Sequence, residues 1–118
     1  MIQIVKDADT RPWFFLQTAH TTYGMRVMET GHLEHLYYGE RITVDSQDPA
    51  SCAPLVIQRA FAPGNTCTYD REHPQISMED VCLEVGTLGK GDIREPFLEV
   101  RFADGSVTSD FTFDSYKI

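Results

Sequence analysis

At 118 residues, with 42% hydrophobic and 24% charged residues, the chain has the composition of a globular protein and the length of one ordinary domain. Ten Lys and Arg against 18 Asp and Glu give a formal charge of −8 with no basic stripe, which excludes the electrostatic footprint of a nucleic-acid binder. No cationic leader opens the chain and no stretch approaches the roughly 20 apolar residues of a membrane span, so a soluble, cytoplasmic protein engaging neither nucleic acid nor membrane is expected.

In chain order, residues 1–5 alternate weakly, and Asp7-Ala8-Asp9-Thr10-Arg11-Pro12 reads as a polar turn. Trp13-Phe14-Phe15-Leu16-Gln17 follows, aromatic and apolar in the manner of a buried strand. Residues 21–28 place Tyr23, Met25 and Val27 on one face and Thr22, Gly24 and Arg26 on the other, a period of two. Glu29-Thr30-Gly31 supplies a turn, and residues 32–39 form the next strand. Leu33 and Leu36 fall out of its alternation, which predicts a bulge near Glu34-His35.

His32, Glu34 and His35 have the look of a metal or acid-base cluster. On a strand, positions 32 and 35 point to opposite faces, and flanking Gly31 and Gly39 argue against the helix that would unite them. His35 is therefore read as a partly buried, hydrogen-bonded strand histidine, with a carbohydrate-facing role as the alternative. Cys52, Cys67 and Cys82 stand fifteen residues apart each time and contain no CxxC half-site, so no metal site is expected and the thiols read as reduced.

From Ile42 to Gln75 the periodicity dissolves into turn-rich sequence with a short apolar island, Leu55-Val56-Ile57. Irregular stretches of this length serve a function or rest on a partner, which makes this the expected contact surface. Ser77-Met78-Glu79-Asp80 resembles a capping box opening a brief helical turn. The polar loop Gly91-Asp92-Ile93-Arg94-Glu95-Pro96 then sets an Asp and an Arg two apart, a pair expected to brace the loop by a charge-assisted hydrogen bond. Leu98, Val100 and Phe102 share one face of the strand that follows. Asp104-Gly105 gives a type I′ turn signal, and Val107, Ser109, Phe111 and Phe113 resume the alternation.

Helical periodicity over ten or more residues is absent, so the class is all-β and antiparallel, a β-sandwich with at most one short helical turn. No GxSxG elbow, phosphate-binding glycine loop or HExxH occurs, and no two carboxylates are fixed at glycosidase spacing. Trp13, Tyr37 and Tyr38 are of the type that stacks on sugar rings, although packing within the sheet is the commoner use of such residues.

A resemblance adds what residue chemistry alone does not supply. Phe15-Leu16-Gln17-Thr18, Thr22-Tyr23, the Gly31 turn with His35-Leu36-Tyr37-Tyr38-Gly39, Gly91-Asp92-Ile93-Arg94-Glu95-Pro96, Glu99-Val100 and Asp104-Gly105-Ser106 run in order over nearly the whole chain. This series resembles the N-terminal β-sandwich of bacterial α-galactosidases of glycoside hydrolase family 36. The resemblance implies that residues 1–118 are one unit, the first portion of a large β-supersandwich that precedes a catalytic (β/α)₈ barrel. The barrel of that family carries an Asp nucleophile and an Asp acid/base, and neither belongs to this region.

The resemblance further implies a retaining hydrolase of terminal α-galactosides such as melibiose and raffinose, working without a cofactor. It also implies a homo-oligomer in which the N-terminal domain of one subunit approaches a neighbour's active site. Residues 44–75 match the family loops that make this approach. Asp70-Arg71 matches a following Asp-Arg pair of the family once a small insertion is allowed, and Arg59 and Arg71 are read as solvated or interface-bracing residues, with a weak substrate contact in trans as the alternative. Where the family shows Asp-Arg-Ala-Phe, this chain has Gln58-Arg59-Ala60-Phe61, which weakens a direct sugar contact there. Asp92 and Arg94 are expected to fix a loop facing the barrel or another subunit. The alternative is a free-standing carbohydrate-binding or protein-interaction β-sandwich.

Overall fold

The computed structural model describes residues 1–57 and 68–118. Four strands, β1 (Ile2–Lys6), β2 (Pro12–Gln17), β3 (Thr21–Val27) and β4 (Leu33–Glu40), form one antiparallel sheet in the order β1-β2-β3-β4. Local chemistry fixes each connection. Asp7 Oδ1 accepts from the amides of Asp9 and Arg11 at 2.9 Å, closing the β1–β2 turn. Thr18 Oγ1 accepts from His20 N at 3.1 Å and Thr21 N at 2.9 Å in the β2–β3 turn, as short hydroxyl side chains commonly do. Met28 N donates to His32 O at 2.8 Å across the β3–β4 turn.

Cross-strand partners divide the sheet into the two faces expected from the alternation. Val5, Trp13, Arg26 and Glu34 lie in register on one face, and Ile4, Phe14, Met25 and His35 on the other. Between the Gly24–Tyr37 and Met25–His35 pairs the register shifts, leaving Leu36 as the extra residue. This bulge lies one residue from its expected place, and it turns Leu36 onto the core. The core face is the one bearing Trp13 and Phe15, packed with Val5, Val44 and Cys52.

Residues 42–56 cover that face, including a 3₁₀ turn at Pro49–Leu55 that the sequence did not announce. Their backbone also satisfies the polar side chains beneath. Gln17 Nε2 donates to Ile42 O at 2.8 Å, Ile42 N donates to Thr22 Oγ1 at 3.1 Å, and Gln3 Nε2 donates to Val44 O at 2.6 Å. Thr22 is consequently fully buried without an unpaired hydroxyl. Gly24 sits where a Cβ would come within 3.1 Å of the Phe15 ring, so the absence of a side chain lets that ring lie flat on the sheet.

Two expectations need correction. The 98–113 hairpin forms its turn without a strand ladder: Phe102 N donates to Ser106 O and Gly105 N to Phe102 O, each at 2.9 Å, and no strand is assigned on either side. The turn is not type I′ either, because Gly105 has φ +86° while Asp104 lacks the positive φ that type demands. The bonding is that of a three-residue loop, Ala103-Asp104-Gly105, closed by a left-handed glycine. Edge residues without a neighbouring strand have nothing to complete a ladder against, and Leu98 and Phe102 stand 41% and 48% exposed.

Ser77-Met78-Glu79-Asp80 does form a short 3₁₀ turn, Met78–Asp80, but the capping box is not made. Ser77 Oγ is buried without a partner among the described residues, and the turn is closed by Asp80 N donating to Ser77 O at 3.1 Å. Residues 82–84 run along the free edge of β4 as an antiparallel bridge between Glu34 and Leu83, with His35 N donating to Cys82 O at 2.7 Å and Glu84 N to Leu33 O at 2.9 Å.

Candidate functional site

The loop 91–96 is built around its Asp-x-Arg pair. Gly91 at φ +95° turns the chain, and Asp92 Oδ1 accepts from the amide of Arg94 at 3.0 Å. The guanidinium closes a fork on the same carboxylate, Nε to Oδ1 at 2.8 Å and Nη2 to Oδ2 at 2.9 Å. Nη2 also donates to the carbonyls of Met78 at 3.0 Å and Val81 at 2.5 Å, so Arg94 ties its loop to the 3₁₀ turn sixteen residues earlier. The hydrogen bonds from Arg94 hold the Asp92 carboxyl below its ordinary value of 3.8 against the opposing effect of burial. A hollow of about 200 Å³ opens beside the pair, lined by Cys82, Leu83, Gly86 and Phe97. Nε and Nη2 of Arg94 are both used on protein acceptors, so the pair braces its loop, as expected.

Arg71 is separate. It lies on an exposed stretch and makes no hydrogen bond or ion pair among the described residues, with Asp92 and Arg94 or with anything else. Arg59, with Gln58, Ala60, Phe61 and Cys67, lies outside the described residues.

The two histidines go to different places. His35 lies on the second face, with Nδ1 3.1 Å from Glu84 Oε1 and its ring edge-on to Tyr23 at 5.0 Å. Tyr23 donates to the same carboxylate at 2.6 Å, and burial together with that bond pushes its hydroxyl up to about 12. His32 is buried, with Nδ1 2.8 Å from Thr30 Oγ1 and Nε2 2.6 Å from Asp110 Oδ1. His35 is thus the hydrogen-bonded strand histidine the alternation indicated. Among the described residues no three His, Cys, Asp or Glu side chains converge as metal ligands.

One cluster had no signal in the sequence. Asp110 accepts from Tyr69 through Oδ2 at 2.5 Å while it faces His32 through Oδ1, and Lys90 Nζ stands 3.7 Å from Oδ2. Burial alone would raise the Asp110 carboxyl, yet the bonds from Tyr69 and His32 and the Lys90 charge hold it below 3.8. The partners are 41 and 78 residues away in the chain, which no local motif spans. Of the aromatic residues considered for sugar stacking, Trp13 is buried in the core beneath Arg26, Tyr37 donates to Glu40 O at 2.9 Å, and Tyr38 is 70% exposed.

Residues 31–118 match the model of the glycosyl hydrolase family 36 N-terminal domain. The chain is 35% identical over 106 residues to the bifunctional alpha-galactosidase/sucrose kinase AgaSK of Mediterraneibacter gnavus, covering 89% of this chain and 11% of that protein. It is 29% identical over 105 residues to alpha-galactosidase AgaA of Geobacillus stearothermophilus, covering 89% and 13% respectively. The crystal structure of the alpha-galactosidase from Lactobacillus brevis superposes with a TM-score of 0.77 at 33% identity, over 96% of this chain and 14% of that one. The chain therefore spans about an eighth of the length of the curated relatives it matches. With the family model matching three quarters of its length and the same fold in a solved relative, this chain belongs to the glycosyl hydrolase family 36 N-terminal domains.

Proposed function

We propose that this chain is the non-catalytic N-terminal portion of a cytoplasmic, retaining α-galactosidase acting on terminal α-galactosides of the melibiose and raffinose type. In this role it supports a catalytic (β/α)₈ barrel and contributes to assembly of a homo-oligomer. The observation that carries the proposal is the family match over residues 31–118 together with α-galactosidases as the relatives. Side-chain chemistry agrees with it. Retaining hydrolysis needs two carboxyl groups about 5–5.5 Å apart and free to act on one anomeric carbon. Five shielded carboxylates, Asp7, Glu34, Glu84, Asp92 and Asp110, are bound by Arg, Tyr or His side chains that hold the fold together.

Within that enzyme the loop 91–96 is a brace that faces the barrel or a second subunit. Arg71, exposed and with no partner among the described residues, reaches the galactoside bound in a neighbouring subunit, and Arg59 is assigned the same role. The isolated chain should release no p-nitrophenol from p-nitrophenyl α-galactoside, whereas the full-length enzyme should. Turnover by the pure chain would overturn the non-catalytic assignment.

A further inference from the structure

Residues 69–76 make a closed loop. Tyr69 N donates to Ile76 O at 2.7 Å, Ile76 N donates to His73 O at 3.1 Å, and Asp70 Oδ1 accepts from His73 N at 2.7 Å. The His73 ring reinforces this staple, with Nδ1 2.7 Å from the same Asp70 oxygen. These bonds define the shape of the loop, at whose exposed end Arg71 sits. They do not by themselves fix where the loop stands relative to the sheet.

That placement comes from Tyr69. Its hydroxyl donates to Asp110 Oδ2 at 2.5 Å, its ring stands edge-on to His32 at 4.9 Å, and Lys90 Nζ lies 5.4 Å from its centroid. Asp110 is in turn held by the His32 ring, which is 3% exposed and anchored at the β3–β4 turn through Thr30. The backbone around Asp110 is fixed on both sides, with Ser109 N donating to Leu88 O at 3.0 Å and Phe113 N to Gly31 O at 2.7 Å. A charge-assisted hydrogen bond in such a shielded setting is both strong and directional. Freedom at Tyr69 would be transmitted through two residues to the Arg71 guanidinium.

We propose that His32, Asp110 and Tyr69 form a positioning unit that sets the orientation of Arg71 for galactoside binding, a role that rests on the function assigned to Arg71 above. None of the three touches substrate. The bond that matters is the one from the Tyr69 hydroxyl, and Tyr69→Phe deletes it while keeping the ring.

The test uses the full-length α-galactosidase with Tyr69→Phe, Asp110→Asn, Arg71→Ala and the Tyr69→Phe/Arg71→Ala double variant, measuring kcat and KM separately. Tyr69→Phe is expected to raise KM by about three- to tenfold with kcat within about twofold, as loss of oriented binding does. Asp110→Asn should do the same, and the double variant should have the KM of Arg71→Ala alone, because the tyrosine acts through the arginine. In parallel, amide exchange at Tyr69 and Ile76 should quicken in Tyr69→Phe. If Arg71→Ala raises KM while Tyr69→Phe leaves it unchanged, or adds to it independently, the positioning role is overturned and the Arg71 assignment stands. A lowered melting temperature with unchanged KM in Tyr69→Phe is the signature of a merely structural role and also overturns it. If Arg71→Ala leaves KM unchanged, the Arg71 assignment itself falls and the positioning role falls with it.

Discussion

Replacing Arg94 by Ala removes two bonds to the Asp92 carboxylate and two to the carbonyls of Met78 and Val81. Four bonds to or from charged groups would total well over 4 kcal/mol at about 1.5–3 kcal/mol each if all were desolvated. They are not: the Arg94 side chain is 46% exposed, so water replaces much of what is lost and the pair itself is worth about 1 kcal/mol or less. Asp92 tips the balance the other way. Its side chain is only 9% exposed, and without the guanidinium its remaining donor among the described residues is the Arg94 amide. Stripping the cation from a shielded carboxylate adds a desolvation cost, which brings the expected loss to about 1–2 kcal/mol.

For urea unfolding of the chain, with a slope of about 2 kcal/mol/M, the midpoint should fall by about 0.5–1 M. Arg94→Lys restores the charge without the fork and should recover less than half of the loss. In a cycle with Asp92→Asn the coupling should be about 1 kcal/mol. A midpoint shift below about 0.1 M for Arg94→Ala, or no coupling to Asp92, would refute the bracing argument. A full-length Arg94→Ala enzyme that assembles normally but has lost turnover would move the pair into the active site.

Acid should destabilise the chain through its bound carboxylates. Asp92 and Asp110 both have folded-state values below 3.8, so their contribution is fully present above that value and is lost as pH falls below about 4. Urea midpoints followed from pH 6 to pH 2.5 should decline on the acid side, and less steeply in Asp92→Asn; stability that rises below pH 4 would contradict the assignment. Gly24→Ala would bring a Cβ within 3.1 Å of the fully buried Phe15 ring, and should cost about 1–3 kcal/mol in the same assay. A neutral or stabilising alanine there would show that the sheet yields more readily than its packing suggests.

What the sequence determined by itself is local and periodic. Alternation at 21–27 assigned the right residues to each face, and the broken alternation at Leu33 and Leu36 located the bulge to within a residue, because side-chain direction in a strand depends only on position along it. The Asp92–Arg94 brace was legible for the same reason, its partners being two residues apart. The motif series from Phe15 to Ser106 carried the family.

Tertiary structure decided the rest. Alternation at 98–113 described residues suited to a hairpin, but a ladder needs neighbours to bury against, and there only the turn around Gly105 formed. Ser77 has a capping residue's identity without making the cap, since its hydroxyl is turned into the interior. Which face of the sheet became the core was settled by residues 42–56 folding over the side that carries Thr22 and Gln17 as well as Trp13 and Phe15. The Asp110 cluster joins residues 32, 69, 90 and 110, and only folding brings four such distant side chains to one carboxylate.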